Sequence, residues 1–198
     1  MRKFLLLFFV VFSIGSTKAI AQQSTYKLAE KESKIFIHGT SSVHDWTALC
    51  DQRLGSVSLT IEKNRLKSLQ TFSLSIKAKS IRSIDEKGAY YDDVMDGRIW
   101  KALEIDKFSD ITISLKQIKA IKPVADKAEV DVIALVTIHG VKKEVPVKIV
   151  VETIGSSIKV SGKKQIKMLD YGVQPPTILL EFLKTGNEII IDFELFFK

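Results

Sequence analysis

From Ile35 to the C-terminus the chain alternates apolar and polar residues with a period of two. In "TFSLSIKAK", Phe72, Leu74, Ile76 and Ala78 alternate with Thr71, Ser73, Ser75 and Lys77. "DITISLK" sets Ile111, Ile113 and Leu115 against Thr112, Ser114 and Lys116, and "EVPVKIVVE" sets Val145, Val147, Ile149 and Val151 against Glu144, Pro146, Lys148 and Val150. Successive side chains of a strand point to opposite faces, so this pattern specifies strands with one dry and one wet face. "KIFIHGT", "SVSLTIE", "AEVDVIALVTI", "SIKVSGKKQIKM" and "EIIIDFELFF" bring the count to about eight, with turn residues in "TIGSS" and "KTGNE" between some of them. The strands over 130–138 and 189–197 are apolar on both faces. Their outer residues Ile133, Leu135, Ile190 and Phe196 are therefore expected beneath the helix, a loop or a second subunit.

One stretch departs from the period. "YYDDVMDGRIWKALEIDKF" carries Val94, Met95, Ile99 and Leu103 near helical spacing behind an acidic first turn, Asp92-Asp93. It predicts one short helix over about 92–103, with the remaining acids nearby, Glu86 and Asp96, on the surface. No strand–helix–strand repeat is present, so a parallel sheet is not expected. Amphipathic antiparallel strands in this number form either a two-sheet sandwich or a closed barrel, whose lumen side chains fill or one small ligand occupies.

The N-terminus changes the setting. Arg2 and Lys3 precede an apolar run from Phe4 to Ile14, and Ala19-Ile20-Ala21 fits small-x-small cleavage. This is the pattern of a secretory signal peptide over 1–21, leaving one domain over 22–198 and placing the protein in the periplasm or outside the cell. The run is about half the roughly 20 residues that a membrane-spanning helix needs. Removing Arg2, Lys3 and Lys18 leaves 27 basic against 23 acidic residues, a net charge of +4. With no arginine-rich block and no basic helix, nucleic acid is not an expected partner, while transient contact with a membrane surface remains compatible. Cys50 is the single cysteine, so no internal disulfide supports the fold.

"IFIHGTSSVHDWTALC" gathers His38, His44, Asp45, Trp46 and Cys50 within sixteen residues, and the third histidine, His139, lies in "LVTIHGVKKEV". His38 is in phase with Phe36 and opposite to Ile35 and Ile37, which turns it from the dry face. His44 and Asp45 fall in a turn that their hydrogen bonds fix, and His139 precedes Gly140 at a hairpin tip. A three-histidine metal site would need all three to converge, so no metal or other cofactor is expected. Cys50 has no helix start before it, and Asp51 beside it raises a thiol pKa, which argues against a catalytic cysteine.

"LVTIHGVKKEVPVKI" resembles the L-T-I-x-G-V-x-K-x-V signature of the YceI-like family. "IFIHGTSSVHDWTA" resembles that family's opening strand and turn, "DVMDGRIWKALEIDKFSDITI" its helix and following strand, and "KMLDYGVQPPT" its D-[FY]-G segment. Asp110 stands where the family commonly has proline. The resemblance implies an all-β fold, a closed, roughly eight-stranded antiparallel lipocalin-like barrel with one short helix. It also implies a function: an exported, non-enzymatic binding protein that holds an isoprenoid-type lipid (a polyisoprenoid or isoprenoid quinone-like amphiphile) as carrier or sensor. In such a barrel Phe72, Leu74 and Ile76 on one strand and Val145, Val147 and Ile149 on another point into the lumen. Trp46, Trp100, Phe108, Tyr171 and Phe182 lie in or beside non-strand segments that suit the mouth, and the apolar "PPTILLEFLKTG" suits a flap over it. The competing reading is an interaction module that dimerises or engages a protein through its apolar outer strand faces.

Protein recovered after export is expected to have the intact mass of a chain beginning at Gln22. A retained 1–21 segment or an acylated N-terminus would overturn the processing expectation.

Overall fold

The computed structural model describes residues 23–178 and 183–198, with the side chains of 178 and 183 outside that description. The leader over 1–21 and Phe182 therefore lie outside the described residues, as does the centre of the expected flap. The strands are β1 (Gln23–Lys27), β2 (Lys34–Ser41), β3 (Trp46–Cys50), β4 (Arg53–Glu62), β5 (Arg65–Lys77), β6 (Ile81–Ile84), β7 (Asp110–Val124), β8 (Lys127–Ile138), β9 (Val141–Ile154), β10 (Ser157–Lys167), β11 (Thr177–Ile178) and β12 (Leu183–Phe197). One helix, α1 (Asp93–Ala102), interrupts them. The strand order is β1-β4-β5-β7-β8-β9-β10-β12-β2-β3-β6, with the two-residue β11 on β12. All the pairings are antiparallel.

The closed eight-stranded barrel is corrected by this order: the sheet is an open, curled half-barrel of eleven strands with β1 and β6 at its ends. The physical reason lies at β12. Its two edges are occupied by β10 and by β2, and β2 begins at Lys34 opposite Glu194, so only the last residues of β12 overhang. There Lys27 N donates to Lys198 O at 2.7 Å and Lys198 N donates back to Lys27 O at 2.8 Å. After the single bridge Leu28–Phe197 the chain turns into a 3-10 turn at Glu30–Glu32, and no ladder can grow. The strands missing from the sequence count are the short or polar ones, β1 ("QSTYK"), β3 ("WTALC"), β6 ("IRSI") and β11.

Hairpin tips follow local chemistry. His139 (φ 51°) and Gly140 (φ 74°) form the two-residue turn between β8 and β9, and Lys63 (φ 50°) and Asn64 (φ 61°) form that between β4 and β5. Both central residues at positive φ match the right-handed twist of the flanking strands. The β7–β8 ladder shifts register twice, between Leu115 and Gln117 and between Ile118 and Ala120, which bends the sheet inward.

The helix falls within the expected bounds, and Asp92 caps it by accepting from Val94 N at 2.9 Å and Met95 N at 3.0 Å. It packs on β6, not over the outer faces of β8 and β12. Of those outer residues, Ile190 is exposed, Ile133 and Leu135 are half-buried, and Phe196 carries the Lys159 ammonium 5.6 Å above its ring. Asp96, expected on the surface, is instead completely buried. Its carboxylate accepts from Ser83 N at 2.5 Å, Ser83 Oγ at 2.8 Å and Arg82 Nε at 2.7 Å, which ties the helix to the end strand.

Asp96→Ala strands the buried Ser83 N–H and is expected to cost about 2–3 kcal/mol in urea unfolding. Asp93→Ala, which removes a carboxylate lying 94% in solvent, is expected to leave the midpoint unchanged. Equal effects of the two substitutions would refute this account of the helix anchor.

Candidate functional site

The concave face of the sheet and the inner side of α1 enclose a cavity of about 230 Å³ lined, among the described residues, mainly by apolar side chains, with Ser114, Lys164, Tyr171 and Thr185 also among the lining. Where β1 meets the C-terminus the interior is filled: Val57, Leu59, Val130, Ile158 and Phe197 are fully buried. Open space begins beyond them. At its other end a second cluster, Met168, Tyr171 and Val173, packs against the β8–β9 tip at Ile138 and Val141 and against the helix end at Ala102 and Leu103.

Phe72, Leu74 and Ile76 of β5 and Val145, Val147 and Ile149 of β9 all reach the same cavity from different strands. Trp46 also lines it; its indole lies on Gly39, where any Cβ would collide with the ring, and its Nε1 donates to Thr40 O at 3.2 Å. Tyr171 lines it from the 3-10 turn Met168–Tyr171. Tyr171 is only 2% exposed, and its Oη has no hydrogen-bond partner among the described residues. Burial, then the Asp170 carboxylate, pushes its pKa up.

Two of the named aromatics are elsewhere. Trp100 faces β6, donating from Nε1 to Ile81 O at 2.9 Å, and Phe108 packs against the His139 ring at 4.6 Å, below Gly140. Neither lines the cavity. Sequence reasoning left out Ile35 and Ile37 of β2, Met95 and Ile99 of α1, and Ile191 and Phe193 of β12, which do line it. The strand residues were available from alternation and the helix pair from its i, i+4 spacing; the missing knowledge was which face of the helix meets the sheet.

The histidines separate. His38 Nδ1 sits 3.1 Å from Thr47 Oγ1 on the outer face, and His44 lies in the β2–β3 turn with Nδ1 2.7 Å from Asp45 O. Ser41 Oγ completes that turn by donating to His44 O at 2.7 Å. His139 Nε2 is 3.7 Å from a Glu104 carboxylate oxygen. Among the described residues no three histidine, cysteine, aspartate or glutamate side chains converge as metal ligands would.

Cys50 is buried at the cavity wall. Burial pushes its thiol up to about 12, with the Arg53 charge opposing and Asp51 assisting. Asp51 therefore acts in the expected direction, but loss of solvent is the larger cause. Arg53, itself buried, donates to the carbonyls of Cys50, Ser33 and Glu30, fastening β3 and β4 to the Glu30–Glu32 turn.

The fold is a curled antiparallel sheet around a largely apolar interior. The chain belongs to the YceI-like family: the YceI-like domain matches residues 26–197. Its fold is similar to a polyisoprenoid binding domain from Saccharophagus degradans implicated in plant cell wall breakdown (TM-score 0.65, 20% identity, covering 87% of this chain and 97% of that one). It is also similar to Burkholderia cenocepacia BcnA (TM-score 0.64, 15% identity, 85% and 98% covered) and to a Campylobacter jejuni YCEI protein (0.56, 13%, 76% and 84%). No curated protein matches the sequence.

A maleimide reagent at pH 8 is expected to leave Cys50 unmodified in the folded protein and to label it stoichiometrically in denaturant, read by intact mass. Fast labelling of the native protein would contradict the buried, protonated thiol.

Proposed function

We propose that this protein is an exported, non-enzymatic binding protein that holds an isoprenoid-type lipid, a polyisoprenoid or an isoprenoid quinone-like amphiphile, in its cavity as carrier or sensor. The observation that carries the proposal is the predominantly apolar wall. An apolar cavity of roughly 150 Å³ already stays dry and admits a small aromatic molecule, so one of this size favours hydrocarbon over water. Each methylene removed from water contributes about 0.8 kcal/mol, so affinity rises with every carbon that the cavity takes in. Association costs about 4–15 kcal/mol, which a short chain does not offset. The arithmetic therefore favours a long chain, and the likeness in fold to the Saccharophagus polyisoprenoid binding domain supports an isoprenoid one.

Within this reading Phe72, Leu74, Ile76, Val145, Val147 and Ile149 contact the chain, and Trp46 and Tyr171 frame its outer part. Trp100 and Phe108 act indirectly, one by seating the helix on β6 and the other by supporting the β8–β9 tip. Export rests on the N-terminal pattern. Exposed Ile190 on the outer face of β12 is the observation behind the rival reading, a surface for a second copy.

Native mass spectrometry of protein purified from a membrane-containing host is expected to show an apolar ligand that Ile76→Trp and Val147→Phe both abolish. Space in the cavity absorbs the added volume, so melting should shift by less than about 4 °C, whereas a filled core would lose about 1–3 kcal/mol. A wild-type protein that never carries an apolar ligand, together with variants that melt far lower, would refute the container. An empty dimer would favour the rival.

A further inference from the structure

The inner face of the β10–β12 pair has one residue out of character. Along β10 the inward positions are Ile158, Val160, Gly162, Lys164 and Ile166, paired with Phe197, Leu195, Phe193, Ile191 and Ile189 of β12. Lys164 is the only charged residue among them, and it contributes to the cavity wall. The outward lysines of the same strand are all neutralised by β12: Lys159 by Glu194 at 2.7 Å, Lys163 by Asp192 at 2.7 Å and Lys167 by Glu188 at 3.9 Å. Lys164, by contrast, is half-buried and has no ion pair or hydrogen bond among the described residues. Its apolar stem suits the wall, and no described residue neutralises the ammonium at its end.

Lys164 also sits where the sheet parts. The β9–β10 ladder covers only Ser157–Ser161 against Val150–Ile154. Beyond Ser161, β10 continues bonded to β12 alone, while β9 continues on β8. The Lys164 stretch therefore borders a break in the ladder. Two residues on, Ile166 packs in the cluster that contains Tyr171, whose buried hydroxyl has no partner among the described residues. A cation-bearing side chain and an unspent O–H donor thus both line the cavity, with Thr185 also in the lining and the Lys143 ammonium 5.9 Å over the Tyr171 ring.

We infer that Lys164 is a headgroup-binding residue, its ammonium recognising the oxyanion, a phosphate or a carboxylate, of an amphiphile whose tail fills the cavity. The inference rests on the proposed lipid-binding function and adds the sign of the head. Polar ends of the ligand lie at the β9–β10 break, and Tyr171 Oη is the second donor to them. Charge-assisted hydrogen bonds of this kind are stronger than neutral ones, so the preference belongs to the charged head and not to the tail.

The test uses ligands with one tail and different heads. Geranylgeranyl phosphate and geranylgeraniol form one pair, palmitate and hexadecanol the other, each titrated against purified protein with tryptophan fluorescence as the readout. Wild-type protein is expected to favour at least one anion over its alcohol by about tenfold or more. Lys164→Gln should bring that ratio near unity with alcohol binding unchanged, Lys164→Arg should retain it, and Lys163→Gln, altering an outward lysine, should leave it intact. The pair that shows the preference identifies the head as phosphate or carboxylate. An unaltered ratio in Lys164→Gln, or alcohols that bind as well as anions to the wild type, would overturn the role of Lys164 while the container stands. Failure of all four ligands to bind wild-type protein would overturn the container and the headgroup site together.

Discussion

The buried carboxylate of Asp96 holds the only described helix against the last strand of an open sheet, and the enclosure depends on it. A curled sheet that does not close has a missing wall, and here α1 supplies it by presenting Met95 and Ile99 to the interior. The apolar stripe of a ten-residue helix is a weak anchor, because the part facing the cavity has no solid partner to press against. Asp96 makes up the deficit through three donors on two consecutive β6 residues, Arg82 and Ser83. A buried anion is tolerable only when its acceptor capacity is filled. Arg82 is itself fixed, with its guanidinium 4.3 Å from the centre of the Tyr90 ring and 3.1 Å from an Asp93 oxygen.

Much of the interior was legible in the chain because alternation is a local property. Phe72 to Ile76 and Val145 to Ile149 share a destination for the same reason that each reads as a strand: every second residue must leave water. Closure is not local. Whether β12 meets β1 or β2 depends on where Lys34 starts to pair and where the Glu30–Glu32 turn leads the chain away, and no window of ten residues contains both. Asp96 shows the same limit from the side of charge. An acid in the first turn of a helix is ordinarily solvated, and nothing near it in sequence announces that Ser83 will bring it a backbone N–H. Trp100 and Phe108 were placed at a mouth because they are aromatic and lie in or beside non-strand segments, whereas each packs on a neighbour, Trp100 on β6 and Phe108 on His139.

The segment from Ile35 to Cys50 packs three different jobs into sixteen residues, and strand phase sorts them. Ile35 and Ile37 go to the cavity; His38 goes out to Thr47. Gly39 is bare so that Trp46, its cross-strand partner, can lie flat on it. The same arrangement recurs where Gly162 faces Phe193 across the β10–β12 pair. In both places the absent side chain on one strand sets the tilt of a wall-forming ring on the other. Glycines that touch no ligand thus shape the space a ligand would meet.

A sheet with two ends carries a hazard that a closed barrel avoids, since unpaired strand edges invite addition of another chain. Both ends here are poor templates. β6 has four residues, is joined to Tyr90 through a bridge at Ile84, and lies under the helix. β1 has five, all polar but for its tyrosine, and the chain immediately after it is stitched to the C-terminus by Leu28 and Ala29. The molecule keeps a sheet that does not close on itself, yet it offers little edge on which a fibril could start.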